Sequence, residues 1–182
     1  MSDRIEIRLS GSGGQGMVLG AIILAEAAAI FEGKNATQSQ SYGPEARGGS
    51  SKSDVVLSDG AIEYPKATKL NILLAMTQES CDKYCCDLRP GGLLIVDEDY
   101  VTNLPETDGR IVKLPIMRLA AESVGKKVVA NIVALGALVE LTGVVSEESL
   151  RKAVLAKVPK GTEELNTRAL QVGIKAAQNV KK

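Results

Sequence analysis

The fold is decided by Ile5-Glu6-Ile7-Arg8-Leu9 followed by Gly11-Ser12-Gly13-Gly14-Gln15-Gly16 and then by Met17 to Phe31. The first stretch places apolar residues at every second position, as a strand does. The last is too long and too rich in alanine for a strand and reads as a helix. Strand, glycine turn and helix in that order form a Rossmann-like β–Gly loop–α unit. Glycines permit positive φ and let a second backbone or an anion approach, while the first free N–H groups of a helix point into such a turn. Gly11-x-Gly13-x-x-Gly16 matches the dinucleotide spacing, but that fingerprint also requires an acid about 20 residues further on to hold a ribose. Asn35-Ala36-Thr37-Gln38-Ser39-Gln40-Ser41 occupies that region without one. No Gly-Lys-Ser/Thr follows, which excludes a P-loop. Two readings of Gly13, Gly14 and Gly16 stay open: tight strand–helix packing, or contact with a phosphate-bearing ligand.

At 182 residues the chain is expected to fold as a single domain, 1–182. Lys+Arg and Asp+Glu are both 22, so no basic face for nucleic acid is implied. No apolar run of about 18 residues and no signal-like N-terminus is found, so a cytoplasmic protein without a membrane span is expected. The absence of His removes imidazole acid–base chemistry and most zinc sites. The absence of Trp and the single Phe leave little to stack a base or flavin.

Further along, Met17–Phe31 is apolar on nearly every side, with Glu26 its lone charge, and so is Asn131–Thr142. An all-round apolar helix needs cover on all sides, and a partner chain is expected to cover part of one or the other. Residues 36–41 alternate hydroxyls with amides, which allows either a solvated edge strand or a strand beside a polar ligand. Tyr42-Gly43-Pro44-Glu45-Ala46-Arg47-Gly48-Gly49 is a loop with imposed geometry, and Arg47 suits a carboxylate or phosphate; an ordinary turn with an Arg–Glu pair is the alternative. Lys52–Ser58 reads as a strand antiparallel to its predecessor. Leu70–Met76 and Gly92–Asp97 read as central parallel strands, with a short crossover helix over 78–88, and Arg110–Leu114 as a further strand. The sheet is therefore mixed and mostly parallel. Cys81, Cys85 and Cys86 lack a Cys-x-x-Cys spacing and fall short of the four ligands of an iron–sulfur cluster. Leu165, Ala169, Val172, Ala176 and Val180 form a packing stripe on the last helix.

Taken together, G-S-G-G-Q-G-M-V-L-G (11–20), Q-S-Y-G-P-E-A-R-G-G (40–49), S-D-V-V (53–56), P-G-G-L-L-I-V-D (90–97) and the Asn166…Gly173 pair resemble the gamma subunit of the 2-oxoacid:ferredoxin oxidoreductases, above all the 2-oxoglutarate type. These proteins share the pyruvate/ketoisovalerate oxidoreductase domain. The resemblance implies a three-layer α/β/α domain. It implies a complex that oxidatively decarboxylates a 2-oxoacid, passes the acyl group to coenzyme A and sends electrons to ferredoxin. Thiamine diphosphate and iron–sulfur clusters are then expected on alpha, beta and delta partners, with none bound by this chain alone. Gly13, Gly14 and Gly16 are carried over as a ligand-facing turn, and Tyr42, Gly43, Pro44, Glu45, Arg47, Gly48 and Gly49 as a loop facing coenzyme A. No catalytic residue follows from the resemblance. The rival readings are a stand-alone nucleotide-binding module and a structural partner without ligand contact.

Overall fold

The computed structural model describes residues 4–42 and 50–181. Six strands build one sheet: β1 (Ile5–Ser12), β2 (Asn35–Tyr42), β3 (Ser50–Ser58), β4 (Leu70–Ala75), β5 (Leu88–Asp97) and β6 (Arg110–Leu114), in the order β2-β3-β1-β4-β5-β6. β1, β4, β5 and β6 are mutually parallel, and β3 runs antiparallel to both β1 and β2. The mixed, mostly parallel sheet expected from the apolar runs is the one observed.

Side-chain alternation divides the sheet into two faces. Ile7, Leu9, Val55, Leu57, Ile72, Leu74, Ile95 and Val112 face one core. It is closed by α1 (Met17–Phe31), by α2 (Ala130–Thr142), by α3 (Glu147–Lys157) and by α4 (Glu163–Lys181). On the second face Val56, Leu73, Leu94 and Val96 meet Cys81 and Tyr84 of α5 (Gln78–Tyr84), the crossover between β4 and β5. Thr77 caps α5 by accepting from Ser80 N at 3.3 Å, and Ser146 caps α3 from Ser149 N at 3.1 Å. Among the described residues no helix is long and apolar enough to cross a membrane.

The structure sharpens two expectations. α2 needs no partner chain, because every residue from Ala130 to Val139 is already buried between α1, α4 and the sheet. α1 differs: Met17, Ala21, Leu24 and Ala28 are buried, whereas Leu19, Ile30 and Phe31 stay exposed, Ile30 by 66%. On α4 the expected stripe packs against the core at Leu165, Ala169, Val172 and Ala176, Val180 is exposed, and the most buried line runs through Asn166, Ala169, Leu170, Gly173, Ile174 and Ala177. The cause is a close helix crossing: a Cβ on Gly173 would strike the carbonyl of Val133, and one on Gly136 that of Leu170. Gly173 and Gly136 allow this close approach, and Leu170 and Ile174 are buried beside them.

Candidate functional site

The register brings three chain ends to one edge of the sheet. Ser12, at the end of β1, pairs with Ser50, and Ser51 pairs with Gly11 on one side and Tyr42 on the other. Tyr42 ends β2 and Ser50 begins β3, so these two strand ends lie beside the glycine turn. Gly43, Pro44, Glu45, Arg47, Gly48 and Gly49 lie outside the described residues, and of Tyr42 the backbone alone is described.

The turn is held by its own glutamine. Gln15 N donates to Ser12 O at 3.3 Å, and the Gln15 Oε1 accepts from Ser12 N at 2.8 Å. Gly14 and Gly16 adopt φ of 90° and 75°, a region that strains any L side chain. Their surroundings differ. A Cβ at Gly16 would lie 2.7 Å from Asn131 Nδ2, whereas one at Gly14 would meet nothing within 4 Å. Asn131 is buried; its amide donates to Gly16 O at 3.3 Å and accepts from Ile132 N at 3.0 Å, tying the start of α1 to the start of α2. Gly16 therefore serves packing, while Gly13 and Gly14 face solvent. They border a cavity of about 390 Å³ shared with Gly16, Ser51 and the first turns of α1 through Ile22. Among the described residues no charged side chain lines it, so an anion there would meet the turn's N–H groups and the amino end of α1.

The topology bears on the dinucleotide reading. β3 is wedged between β1 and β2, so the end of β2 lies two strand spacings, about 10 Å, from the end of β1. The adjacent-strand acid that would hold a ribose has no counterpart in this arrangement.

Comparison with known proteins is consistent with a different lineage. A family model described as pyruvate ferredoxin/flavodoxin oxidoreductase matches residues 6–176. The chain belongs to that oxidoreductase family. It is 51% identical, over 179 residues, to 2-oxoglutarate synthase subunit KorC of Methanocaldococcus jannaschii, covering 97% of this chain and 96% of that one. The gamma subunit of a keto/oxoacid ferredoxin oxidoreductase from Geobacter sulfurreducens superposes with a TM-score of 0.90 at 53% identity, over 97% of both chains. A 2-oxoglutarate:ferredoxin oxidoreductase from Magnetococcus marinus shares the fold, with a TM-score of 0.84 at 22% identity over 97% of this chain and 31% of that one.

This family member carries a second polar constellation, on the opposite face of the sheet, that sequence reading missed. Arg8, 2% exposed, makes a two-pronged contact with Asp54, Nε to Oδ1 at 2.6 Å and Nη2 to Oδ2 at 3.0 Å, and Nη1 also bonds Asp87. Burial works against the guanidinium charge, but Asp54 and Asp87 outweigh it and raise the Arg8 pKa. Strand alternation put Arg8 on a face without saying that the face was covered. The available signal was Asp54, at matching parity in the neighbouring antiparallel strand.

The cysteines lie beside the Arg8 constellation, where Cys86 Sγ donates to Asp87 Oδ1 at 3.9 Å. Cys81 is buried, Cys85 half-buried and Cys86 exposed, and all three are free thiols. Burial, helped by Cys85 and Asp82, pushes the Cys81 thiol up to about 11, which leaves it unreactive. Among the described residues no three His, Cys, Asp or Glu side chains are placed to hold a metal ion, so these residues do not fit an iron–sulfur cluster.

Proposed function

We propose that this chain, as one gamma-type domain over 1–182, is the gamma subunit of a cytoplasmic 2-oxoacid:ferredoxin oxidoreductase acting on 2-oxoglutarate. The complex would yield an acyl-coenzyme A and CO2 and pass electrons to ferredoxin. The observation that carries the proposal is 51% identity to a 2-oxoglutarate synthase subunit over nearly the full length of both chains. Alpha and beta subunits, with a delta subunit, would hold thiamine diphosphate and the iron–sulfur clusters. Coenzyme A, when bound, supplies the thiol that accepts the acyl group. This chain's own part is positional. Gly13 and Gly14 offer backbone donors at the sheet edge, and the apolar first turns of α1 exclude water from one side of the cavity. Arg47, in the segment between β2 and β3, would supply a positive charge that the cavity's lining lacks among the described residues.

The test is anaerobic, iron-supplemented coexpression of this chain with its partner subunits. The complex is expected to reduce ferredoxin with 2-oxoglutarate in preference to pyruvate and branched-chain 2-oxoacids, and to lose that activity when this chain is omitted. The chain expressed alone is expected to be colourless and inactive. A stoichiometric iron–sulfur spectrum, or turnover by the chain alone, would overturn the reading.

A further inference from the structure

On the sheet face opposite the glycine-turn cavity lies a cleft of about 390 Å³. Its floor is the outer pair of strands, where Ser39 stands opposite Asp54 and Ser41 opposite Lys52, and the segment before β4 adds Lys66. These are the hydroxyls that alternate along residues 37–41, a pattern the glycine-turn site leaves unused. Asp54 does not balance the lysines, because both of its oxygens accept from Arg8. Beside the cleft, three cations gather round the ring of Tyr84: Arg8 Cζ at 5.0 Å from its centre, Lys52 Nζ at 5.3 Å and Lys83 Nζ at 5.6 Å. Lys83 Nζ donates to Ser50 Oγ at 3.0 Å. Among the described residues the carboxylates in this cluster, Asp54 and Asp87, both pair with Arg8. Lys52, Lys66 and Lys83 have no carboxylate within ion-pair distance there. Lys52 is half-buried and Lys66 and Lys83 are exposed; like charges drawn together repel one another unless an anion joins them.

We propose that this cleft binds the phosphate group of a small diffusible ligand. Lysine ammoniums act as point charges suited to phosphate, and the serine hydroxyls can donate to its remaining oxygens. A phosphate carries about two negative charges near neutral pH, which matches the excess of cations better than one carboxylate does. The volume falls within the range of roughly 300–1,000 Å³ usual for small-ligand sites. The assignment is independent of the gamma-subunit reading, since it concerns another face of the sheet and needs no partner.

The experiment titrates the full isotope-labelled chain with inorganic pyrophosphate and, at matched ionic strength, with acetate, while amide shifts are followed. Saturable shifts at Ser39, Ser41 and Lys52 are expected with pyrophosphate and not with acetate. Gly13 and Gly14 should stay still. Lys52→Gln and Lys66→Gln should each weaken binding about tenfold or more, the worth of one charge-assisted contact, while Lys52→Arg retains it. Both lysines are at least partly exposed, and unchanged thermal transitions would show that the variants fold. Drift without saturation up to about 10 mM would overturn the proposal, as would an equal response to acetate or shifts centred on the glycine turn. Binding seen only in Glu45→Gln would make the cleft a seat for the chain's own loop, and would overturn it too.

Discussion

Gly14 and Gly16 sit two residues apart with the same sign of φ, yet they answer to different demands. Alanine at either position must adopt the left-handed region, at a cost of about 1–2 kcal/mol. At Gly16 the new methyl also presses on the Asn131 amide, adding roughly 1–3 kcal/mol of overpacking. Gly16→Ala should therefore lower the urea midpoint more than Gly14→Ala does. In the assembled enzyme Gly14→Ala should cost more activity than its small stability loss explains. Glu6 provides a second handle. Burial alone would raise its pKa, but the carboxylate accepts from Arg4 Nε at 2.7 Å and from the amides of Thr68 and Lys69, and the net shift is downward. Lowered in the folded state, the carboxylate contributes stability at pH above the ordinary carboxylate range, and loses it as pH falls through the folded value. Stability measured between about pH 5 and pH 2 should fall less steeply in Glu6→Gln than in the parent chain. Arg4 is two residues from Glu6 along the chain, but neither the Asn131–Gly16 contact nor the bonds from Thr68 and Lys69 to Glu6 could be read from sequence. Each joins residues that only the sheet and helix packing bring together.

Much of the element pattern was legible because each strand keeps a period of two or a continuous apolar run, and Ser146 and Gly143 punctuate the helices. The face of α4 was less so, since its close crossing depends on Gly173 and on Gly136 of α2, whose role is the absence of a side chain. Gly173→Ala would drive a methyl into the carbonyl of Val133, so the helices must separate or shift. A loss of about 1–3 kcal/mol is expected by chemical denaturation. Lys175→Ala, two residues away and exposed, should stay within about 0.5 kcal/mol. α1 and α2 look alike in sequence, both apolar all round, and separate only in the fold. α2 is enclosed by the chain itself, whereas α1 keeps Leu19, Ile30 and Phe31 at the surface. Leu19→Ser with Ile30→Ser should leave the isolated chain's melting temperature within a few degrees and weaken its retention by partner subunits in a pull-down. Equal retention would leave that flank of α1 as ordinary surface.

The sheet edge that gathers the glycine turn, the end of β2 and the start of β3 has backbone donors and, among the described residues, no charged side chain lining its cavity. The segment between β2 and β3 carries Arg47, which keeps its charge at any working pH and can make two parallel bonds to a carboxylate or phosphate. Arg47 should therefore matter to turnover far more than to folding. In the assembled complex, Arg47→Ala should lose about 2–5 kcal/mol in the affected step, roughly 30-fold or more, if it meets a desolvated anion on coenzyme A, substrate or a partner subunit. Arg47→Lys keeps the charge and loses the fork, so it should recover only part of that loss. An Arg47 paired with Glu45 in solvent would cost less than about 1 kcal/mol on removal. Steady-state kinetics against coenzyme A and 2-oxoglutarate, after assembly of each variant is verified, separates the cases. A rise in KM for coenzyme A alone places Arg47 on that ligand, and a fall in kcat with both KM values unchanged places it on a group that shapes the centre. Parent values throughout would make the loop scaffolding.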